Sequence, residues 1–453
     1  MQISVKPEIF YLDKLLEESC KKVSPAIASD FSLDVKMAAW LQQVRDRAAA
    51  WVRELSIPNK KDEEWRFTNL SSMMKLSFQA PTLVDLDALN IAPFILPEVA
   101  DSRLVFVNGV FAPQLSEVKG IENQVFVGNL GQLPEEYQKR VGNYLAQQPG
   151  SEEVFTCLNT AGLTDAAVVL LPKNQVLEKP IHLLFIATET EIPILTQRRC
   201  LVVAESNSSG KIIEHCVTAE VICPEAPNSH PYLTNTVTEI WVEENAEIDH
   251  TRVQRDAGAA FHIGKTAIAQ AKNSRYTCNA INLGGRLSRH NLEVVQMGEG
   301  TETNLYGLAF LRNEQEIDTH SSITLNYPNS VTDQLYKCIV DDKAHSIFNG
   351  KIYVSQTAQL TNAAQLNRNL LLSSGGRVDT KPQLEIIADN VQCSHGATVS
   401  QLDDDEVFYL QSRGLSQEAS RNLLIDAFAA EILNKLPLPS LQRILKQCVA
   451  CKI

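Results

Sequence analysis

Three stretches of the chain decide its fold: NAEIDHTRVQ at residues 245–254, NSRYTCNAIN at 273–282 and GTETNLYGLA at 300–309. Each begins at a turn residue, asparagine or glycine, and continues with residues that alternate as in a β-strand. Their starts are separated by 28 and 27 residues. A polar turn that recurs at a nearly constant interval is typical of a solenoid in which each rung covers the inner face of the next. The repeat predicts a parallel β-helix, with a β-sandwich or a set of antiparallel hairpins as the alternatives.

The same character extends over residues 151–410, which we predict to be the β-helix core. Short apolar runs occur at Ala167–Leu171, Ile181–Ala187 and Leu201–Ala204, separated by Gly, Asn and Asp residues. Helical periodicity is nearly absent from this region. We therefore expect a mainly β protein whose core is a solenoid.

The regions on either side of the core have a different pattern. Residues 1–150 are predicted to be a mixed α/β or helical region, because Asn108-Gly109 between two apolar runs indicates a hairpin and a helix precedes it. Residues 411–453 are predicted to be helical, with Ser416 as an N-cap and a last short helix near Ser440. The apolar faces expected for these helices are Leu33, Met37, Leu41, Val44, Ala48, Trp51, Val52 and Leu55 in the first region, and Leu423, Leu424, Ala427, Phe428, Ile432, Leu433, Leu441, Ile444 and Leu445 in the last.

Length and composition are those of an ordinary globular protein. At about 150 residues per domain, 453 residues predict roughly three units. With 44% hydrophobic and 21% charged residues, the chain has no run apolar enough to cross a bilayer, so we expect no membrane role. Residues 1–10 lack the basic and then apolar stretches of a secretory signal, which favours a cytoplasmic protein.

Charge and cysteine usage narrow the class further. A net charge of −13 disfavours binding to phosphate backbones, and no local basic patch offsets it, so we expect no nucleic-acid partner. Ten cysteines spread along so long a chain indicate reduced thiols rather than a disulfide framework.

The most informative pair of side chains is Cys393 and His395. Two residues that lie two positions apart on a strand point to the same face, so a thiol and an imidazole can ligate one metal ion there. The alternative is two half-buried core residues.

Other motifs carry less chemistry. Cys448-x-x-Cys451 has redox or zinc spacing, but its position at the chain end favours frayed thiols. The acidic run 403–406 is interpreted as a solvated turn, because it lacks the spaced ligands of a calcium loop. No phosphate-binding loop, nucleophile elbow or dinucleotide fingerprint occurs, so we expect the chain not to be an enzyme.

Several longer motifs resemble one known family. The stretches Asp379–Ile386, Cys393–Thr398 and Val407–Gly414 are similar to the SufB/SufD family of iron-sulfur cluster assembly proteins. Within it, Cys-Ser-His-Gly resembles the SufD branch, because the SufB branch usually has acidic residues on both sides of its histidine. Further similarity lies at Asn349-Gly350-Lys351, 358–369 and 61–70.

The resemblance implies a fold, partners and a cargo. It implies a right-handed parallel β-helix that pairs with SufB through the β-helix core and binds the ATPase SufC through the C-terminal helices. A homodimer of the isolated chain and a heteromer are both open as the resting state. It also implies that His395, with Cys393 beside it, faces a SufB cysteine across the interface. There a transient iron-sulfur cluster, or its iron, is shared between the subunits during de novo assembly.

Two enzymatic functions are the alternatives. A β-helix enzyme acting on polysaccharide would use carboxylates along the solenoid groove, but such enzymes are typically secreted. A hydrolase would use Cys393 with His395, and would need a third, orienting group that the sequence does not supply.

Overall fold

The computed structural model describes residues 7–21, 33, 35–82, 84–122, 124–219 and 230–450, and these contain seven α-helices and nineteen β-strands. Residues 1–6, on which the expectation about a signal segment partly rests, and Cys451 lie outside the described residues. Within the described ranges, every helix is too short or too polar to span a bilayer.

Helices lie at both ends of the chain and strands lie between them. The helices are α1 Pro7–Cys20, α2 Val35–Glu54, α3 Glu135–Val141, α4 Val154–Ala161, α5 Asp404–Ser412, α6 Gln417–Leu433 and α7 Pro439–Ala450. The strands are β1 Arg103–Val107, β2 Val110–Phe111, β3 Phe126–Asn129, β4 Ala167–Leu171, β5 Ile181–Ala187, β6 Leu195–Ala204, β7 Ser209–Thr218, β8 Leu233–Val242, β9 Glu247–Arg255, β10 Phe261–Gln270, β11 Arg275–Leu283, β12 Leu287–Gln296, β13 Glu302–Leu311, β14 Glu316–Leu325, β15 Val331–Val340, β16 His345–Val354, β17 Asn362–Leu371, β18 Arg377–Ile386 and β19 Gln392–Gln401.

The strands form two sheets, and successive strands from β4 onward alternate between them. One sheet has the order β19-β17-β15-β13-β11-β9-β7-β5-β1-β2, and the other has β18-β16-β14-β12-β10-β8-β6-β4-β3. All pairs are parallel except β1 with β2 and β3 with β4. This is a parallel β-solenoid of about eight turns, so the predicted fold class is confirmed and the sandwich and hairpin alternatives are wrong.

The register of the rungs is the one that the repeat predicts. Ile248 pairs with Tyr276, and Tyr276 pairs with Thr303. The turns before these strands contain Asn245 and Asn273 with φ of 57° and 54°. Asparagine tolerates this left-handed conformation better than most residues, and its amide can bond along the stack. The Asn273 amide donates to Asn245 at 3.3 Å, so the turns are tied together as well as the strands.

The N-terminal region is fixed to the outer face of the even-numbered sheet. The Arg289 guanidinium lies 3.8 Å from the ring centroid of Trp65, and the Thr68 hydroxyl donates to the buried carboxylate of Asp318. The Glu64 carboxylate accepts hydrogen bonds from the His320 ring at 3.2 Å and from Asn349 at 3.1 Å. The segment around Trp65 therefore holds the helical region against the same rungs that lead to the C-terminal end of the solenoid.

Most local predictions are confirmed, with three corrections. The hairpin at Asn108-Gly109 is present, and so are the predicted helices and core strands. Trp51 is 38% exposed and Leu423 is 49% exposed, so neither belongs to a buried face. In α6 the buried apolar residues are Ile425, Ala429, Ile432 and Leu433, because that side of the helix faces the sheet.

The acidic run at residues 403–406 is not a turn but the start of α5, where the Asp403 carboxylate caps the backbone of residues 405 and 406. The division of the chain at residues 150 and 410 stays a prediction.

A buried pair of histidines makes the fold sensitive to acid. The rings of His182 and His215 stack with centroids 5.7 Å apart, and neither has a hydrogen-bond partner among the described residues. Burial, together with the nearby positive charge of Arg103, lowers the pKa of His182 to about 3. Burial also lowers the pKa of His215. The folded chain therefore keeps both rings neutral at pH values where the unfolded chain protonates them.

We expect the His182→Leu variant to lose less thermal stability in acid than the wild type. The stabilisation due to a neutral imidazole is complete above about pH 6.5 and is lost as the pH falls, by about 2 kcal/mol at about pH 5 for one ring. Melting temperatures measured at about pH 7.5 and about pH 5 test this linkage. His230→Asn, which removes an exposed imidazole, is the control and should behave as the wild type. Equal losses in all three proteins would contradict the prediction.

Candidate functional site

The C-terminal end of the solenoid is open. β18 and β19 are the last strands of their sheets, and no further described strand pairs with either. Most of their residues are half-buried or exposed, whereas all of β10 in the middle of the solenoid is buried. Each last strand is ten residues long, so this end presents two unpaired backbone edges.

The structure brings Cys393 and His395 together on β19. In the register with β17, Cys393 pairs with Ala363 and His395 pairs with Gln365. Both β17 residues are buried and face the inside of the solenoid. Residues paired across parallel strands point to the same face, so Cys393 and His395 lie on the inner face of the last rung. Their expected placement on one face is therefore observed, and their role as ligands stays a prediction.

Cys393 is a half-buried free thiol that packs against the hydrophobic core. Burial raises the pKa of this thiol, and the backbone of Ala363 offsets the effect only in part. The thiol is therefore protonated near neutral pH in the isolated chain. Because the thiolate is the form that binds metals, Cys393 must lose a proton before it can act as a ligand.

His395 is exposed, and no described residue forms a hydrogen bond with its ring. A second polypeptide that covered the end of the solenoid would meet this ring directly. Imidazole and thiolate are both ligands of iron in proteins, and iron-sulfur clusters commonly use four protein ligands. Among the described residues, no group of three or more His, Cys, Asp or Glu side chains is placed to hold a metal ion.

A second polar cluster lies sealed inside the solenoid. The register places His250 beside Cys278, and the His250 ring lies 3.4 Å from the Glu214 carboxylate and 3.0 Å from the Tyr276 hydroxyl. Burial alone would lower the pKa of His250, but Cys278 and Glu214 raise it to about 9. All four side chains are buried. This cluster was not predicted from the sequence, although the 28-residue repeat offset relates His250 to Cys278 directly.

The remaining candidates do not form sites. Cys448 lies on α7, and its predicted partner in the motif, Cys451, lies outside the described residues. His320 and His345 lie on the outer face of the even-numbered sheet, and acidic side chains contact both rings. The described cysteines that precede α7 are free thiols: Cys20, Cys157, Cys200, Cys216, Cys278, Cys338 and Cys393.

Comparisons with known proteins cover nearly the whole chain. The family model described as SUF system FeS cluster assembly, SufBD core domain, matches residues 185–428, and the SufBD protein N-terminal region matches residues 28–183. An iron-sulfur cluster assembly SufBD family protein of Synechocystis sp. is 50% identical over 408 residues, which is 90% of each chain. The iron-sulfur cluster assembly protein SufD of Escherichia coli is 31% identical over 84% of this chain and 85% of its own length. Protein ABCI7, chloroplastic, of Arabidopsis thaliana is 31% identical over 96% and 90%. The core match contains both Cys393 and His395.

We expect Cys393 to react slowly with iodoacetamide in the isolated chain. Its thiolate fraction is small at neutral pH because burial raises the pKa of the thiol. The rate constant for modification of Cys393, followed by peptide mass spectrometry, should lie below that of a free cysteine peptide at the same pH. It should still increase above about pH 9, where the rate constant of the peptide levels off. The Cys393→Ser variant identifies the modified peptide. A rate constant that equals that of the peptide throughout would show that burial does not control this thiol.

Proposed function

Because this chain belongs to the SufB/SufD family and is an iron-sulfur cluster assembly subunit of the SUF system, we propose that it is a non-catalytic scaffold subunit of the cytoplasm that pairs with SufB and the ATPase SufC. The observation that carries this proposal is the open last rung, which presents the unpaired ring of His395 beside Cys393. Both side chains lie where a second subunit can complete the site.

Pairing with SufB is supported by the backbone of the last rung. β18 and β19 carry free N–H and C=O groups along one edge each, and such edges associate readily with strands of another chain. Apolar side chains are also exposed there, including Ile386, Ile387 and Val399. Burial of these groups against a second solenoid would satisfy the edges and remove apolar surface from water. The isolated chain would use the same end to form a homodimer.

The cargo would bind between the subunits. His395 contributes an imidazole, and a thiolate of SufB contributes a second ligand, since iron accepts both. Cys393 adds a further thiolate when it loses its proton. A site divided between two subunits is complete only while they are in contact, so the nascent cluster or its iron can be held there transiently.

The C-terminal helices are suited to receive the ATPase and to transmit its motion. Phe408 on α5 and Leu423 on α6 are exposed apolar residues, as a docking surface requires. α6 is anchored to the solenoid by Lys337 of β15, whose ammonium lies 2.5 Å from the Glu431 carboxylate and donates to the carbonyl of Phe428 at 2.9 Å. β15 is two strands away from β19 in the same sheet, so displacement of α6 acts on the rungs next to the proposed site.

The arrangement of Cys393 and His395 does not favour the hydrolase alternative. A Cys-His nucleophile needs a general base that is oriented by a third group, and the ring of His395 has no such partner among the described side chains. The raised pKa of Cys393 is also opposite to the lowered pKa that activates a cysteine nucleophile.

Substitution of the imidazole tests the proposed role of His395. We expect the complex with SufB and SufC that carries His395→Ala to assemble clusters from ferrous iron and sulfide on the order of tenfold to a hundredfold more slowly than the wild type, as for the loss of a metal-site residue. The initial rate is read from the visible absorption of the cluster under anaerobic conditions. Ser394→Ala is the matched control, because its side chain lies on the other face of β19. A wild-type rate for His395→Ala would show that the imidazole is not part of the assembly site.

The Val399→Lys substitution tests whether SufB binds to the open end of the solenoid. Val399 is 50% exposed on the inner face of the last rung, so Val399→Lys places an ammonium where a second solenoid would pack. We expect its affinity for SufB, measured by analytical ultracentrifugation, to fall by about tenfold or more, which is about 1.4 kcal/mol. Ser400→Lys adds the same charge to the opposite face and should leave the affinity within about twofold. If both variants bind SufB equally well, the two chains do not pair through this end.

A further inference from the structure

We propose that Gln365 is a positioning residue, whose side-chain oxygen accepts a hydrogen bond from the ring N–H of His395 and so determines which ring nitrogen is free to bind iron. This inference rests on the proposed role of His395 as a ligand. Three features of the last rungs support it. Oε1 of Gln365 is buried and unpaired among the described residues, His395 lies over Gln365 in the strand register, and Gly350 leaves space for the Gln365 amide.

The first observation is the unpaired oxygen. Gln365 is 2% exposed, and its Oε1 atom is buried without a hydrogen-bond partner in the described part of the chain. Buried polar atoms in folded proteins are almost always paired, so an unpaired acceptor next to a proposed binding site indicates a partner that arrives with the assembled state. The residue that lies over Gln365 in the next rung is His395.

The second observation is the direction of the amide. Gln365 pairs with Gln334 on the rung below, and its Nε2 atom donates to Oε1 of Gln334 at 2.7 Å. Gln334 in turn donates from its own Nε2 to the hydroxyl of Ser321, so both amide nitrogens are engaged by residues that precede β17 in the chain. The oxygen and nitrogen of an amide diverge from the same carbon. Because the nitrogen of Gln365 bonds to Gln334, its oxygen is the atom of this amide that stays available as an acceptor.

The third observation is the place made for this amide. A Cβ atom at Gly350 would lie 2.4 Å from Nε2 of Gln365, so the amide crosses the inside of the solenoid against the bare backbone of β16. Glycine in a strand interior is unfavourable unless another group approaches closely. Gly350 is part of the Asn349-Gly350-Lys351 motif, and the approach of Gln365 supplies a physical reason for the glycine.

Such a bond has a defined chemical effect. A neutral imidazole carries its proton on one nitrogen and a lone pair on the other, and the hydrogen bond made by the N–H fixes the tautomer. An acceptor behind a histidine ligand also fixes the orientation of the ring. In the isolated chain His395 is exposed and forms no such bond within the described residues. Covering of the open end by SufB would confine the ring over Gln365 and present its other nitrogen to the cargo.

The test uses this chain, labelled with nitrogen-15 histidine, in complex with unlabelled SufB and SufC. The solid-state nitrogen spectrum of His395 is obtained by subtracting the spectrum of the His395→Ala complex. We expect a single tautomer in the wild type and a mixture of tautomers in Gln365→Met, which removes the acceptor but keeps the volume. Gly350→Ala leaves Gln365 chemically intact but displaces its amide, and should produce the same mixture.

Asn369→Leu is the matched control. It removes another buried amide of β17, which lies under Val399 instead of under His395, and should leave the single tautomer unchanged. The proposal is overturned if Gln365→Met keeps the wild-type spectrum, or if Asn369→Leu alters it as much as Gln365→Met does.

The rate of cluster assembly separates this inference from the proposed function. We expect Gln365→Met to assemble clusters about tenfold more slowly than the wild type, as for residues that orient a metal ligand. A normal rate in His395→Ala would refute the role of His395 as a ligand, whereas the tautomer change in Gln365→Met would still establish the hydrogen bond. A slow His395→Ala complex together with an unchanged Gln365→Met spectrum would refute the positioning role alone.

Discussion

The backbone hydrogen bonds between rungs are the constraint on which the rest of this structure depends. In a parallel solenoid the N–H and C=O groups of each strand form hydrogen bonds with the strands above and below it. The rung at an end has no neighbour on its outer side, so the groups along that edge stay unpaired. At the N-terminal end the short strands β2 and β3 close the two sheets by antiparallel pairing. At the C-terminal end nothing in the described chain does so for β18 and β19. The two ends therefore differ, and the proposed ligands lie at the end that is left open.

The inside of the solenoid changes character along its length. An apolar cluster fills much of it, and polar groups such as Glu214 and His250 are buried beside it in contact with each other. Near the open end the inner face of β17 is lined by Gln365, Asn367 and Asn369, whose amides bond to neighbouring rungs. Amide side chains can form hydrogen bonds between rungs without burying a charge, so the interior can stay polar and hydrogen-bonded up to the exposed end. This environment supports an imidazole better than an apolar interior would.

The sequence was sufficient for the periodic part of the structure. The spacing of Asn245, Asn273 and Gly300 predicted the register because a solenoid repeats one backbone geometry, and turn residues mark its phase. It was less reliable for α6, since apolar residues occur around much of this helix and only packing against the sheet decides that the side of Ile425 is buried. The acidic run at Asp403 was assigned to a turn because it lacks the spaced ligands of a calcium loop, whereas Asp403 caps a helix and the carboxylates after it lie in the first turn. Gln365 was not predictable as a site residue, because its unpaired oxygen arises from contacts with Gln334 and Gly350 in other rungs.

The two proposed ligands differ in what binding requires of them. Cys393 is held against the core, and the raised pKa of its thiol means that coordination must first displace a proton from a partly desolvated site. A neutral imidazole binds iron through a lone pair that is already present, and His395 is not packed into the core. In the proposed site the imidazole is therefore expected to engage first, while the thiol responds only when a cation is near enough to stabilise the thiolate. Under the proposed function the cargo is held transiently between subunits, and this order suits that role, because the contact that forms at the lowest free-energy cost is also the one that separates when the subunits move apart.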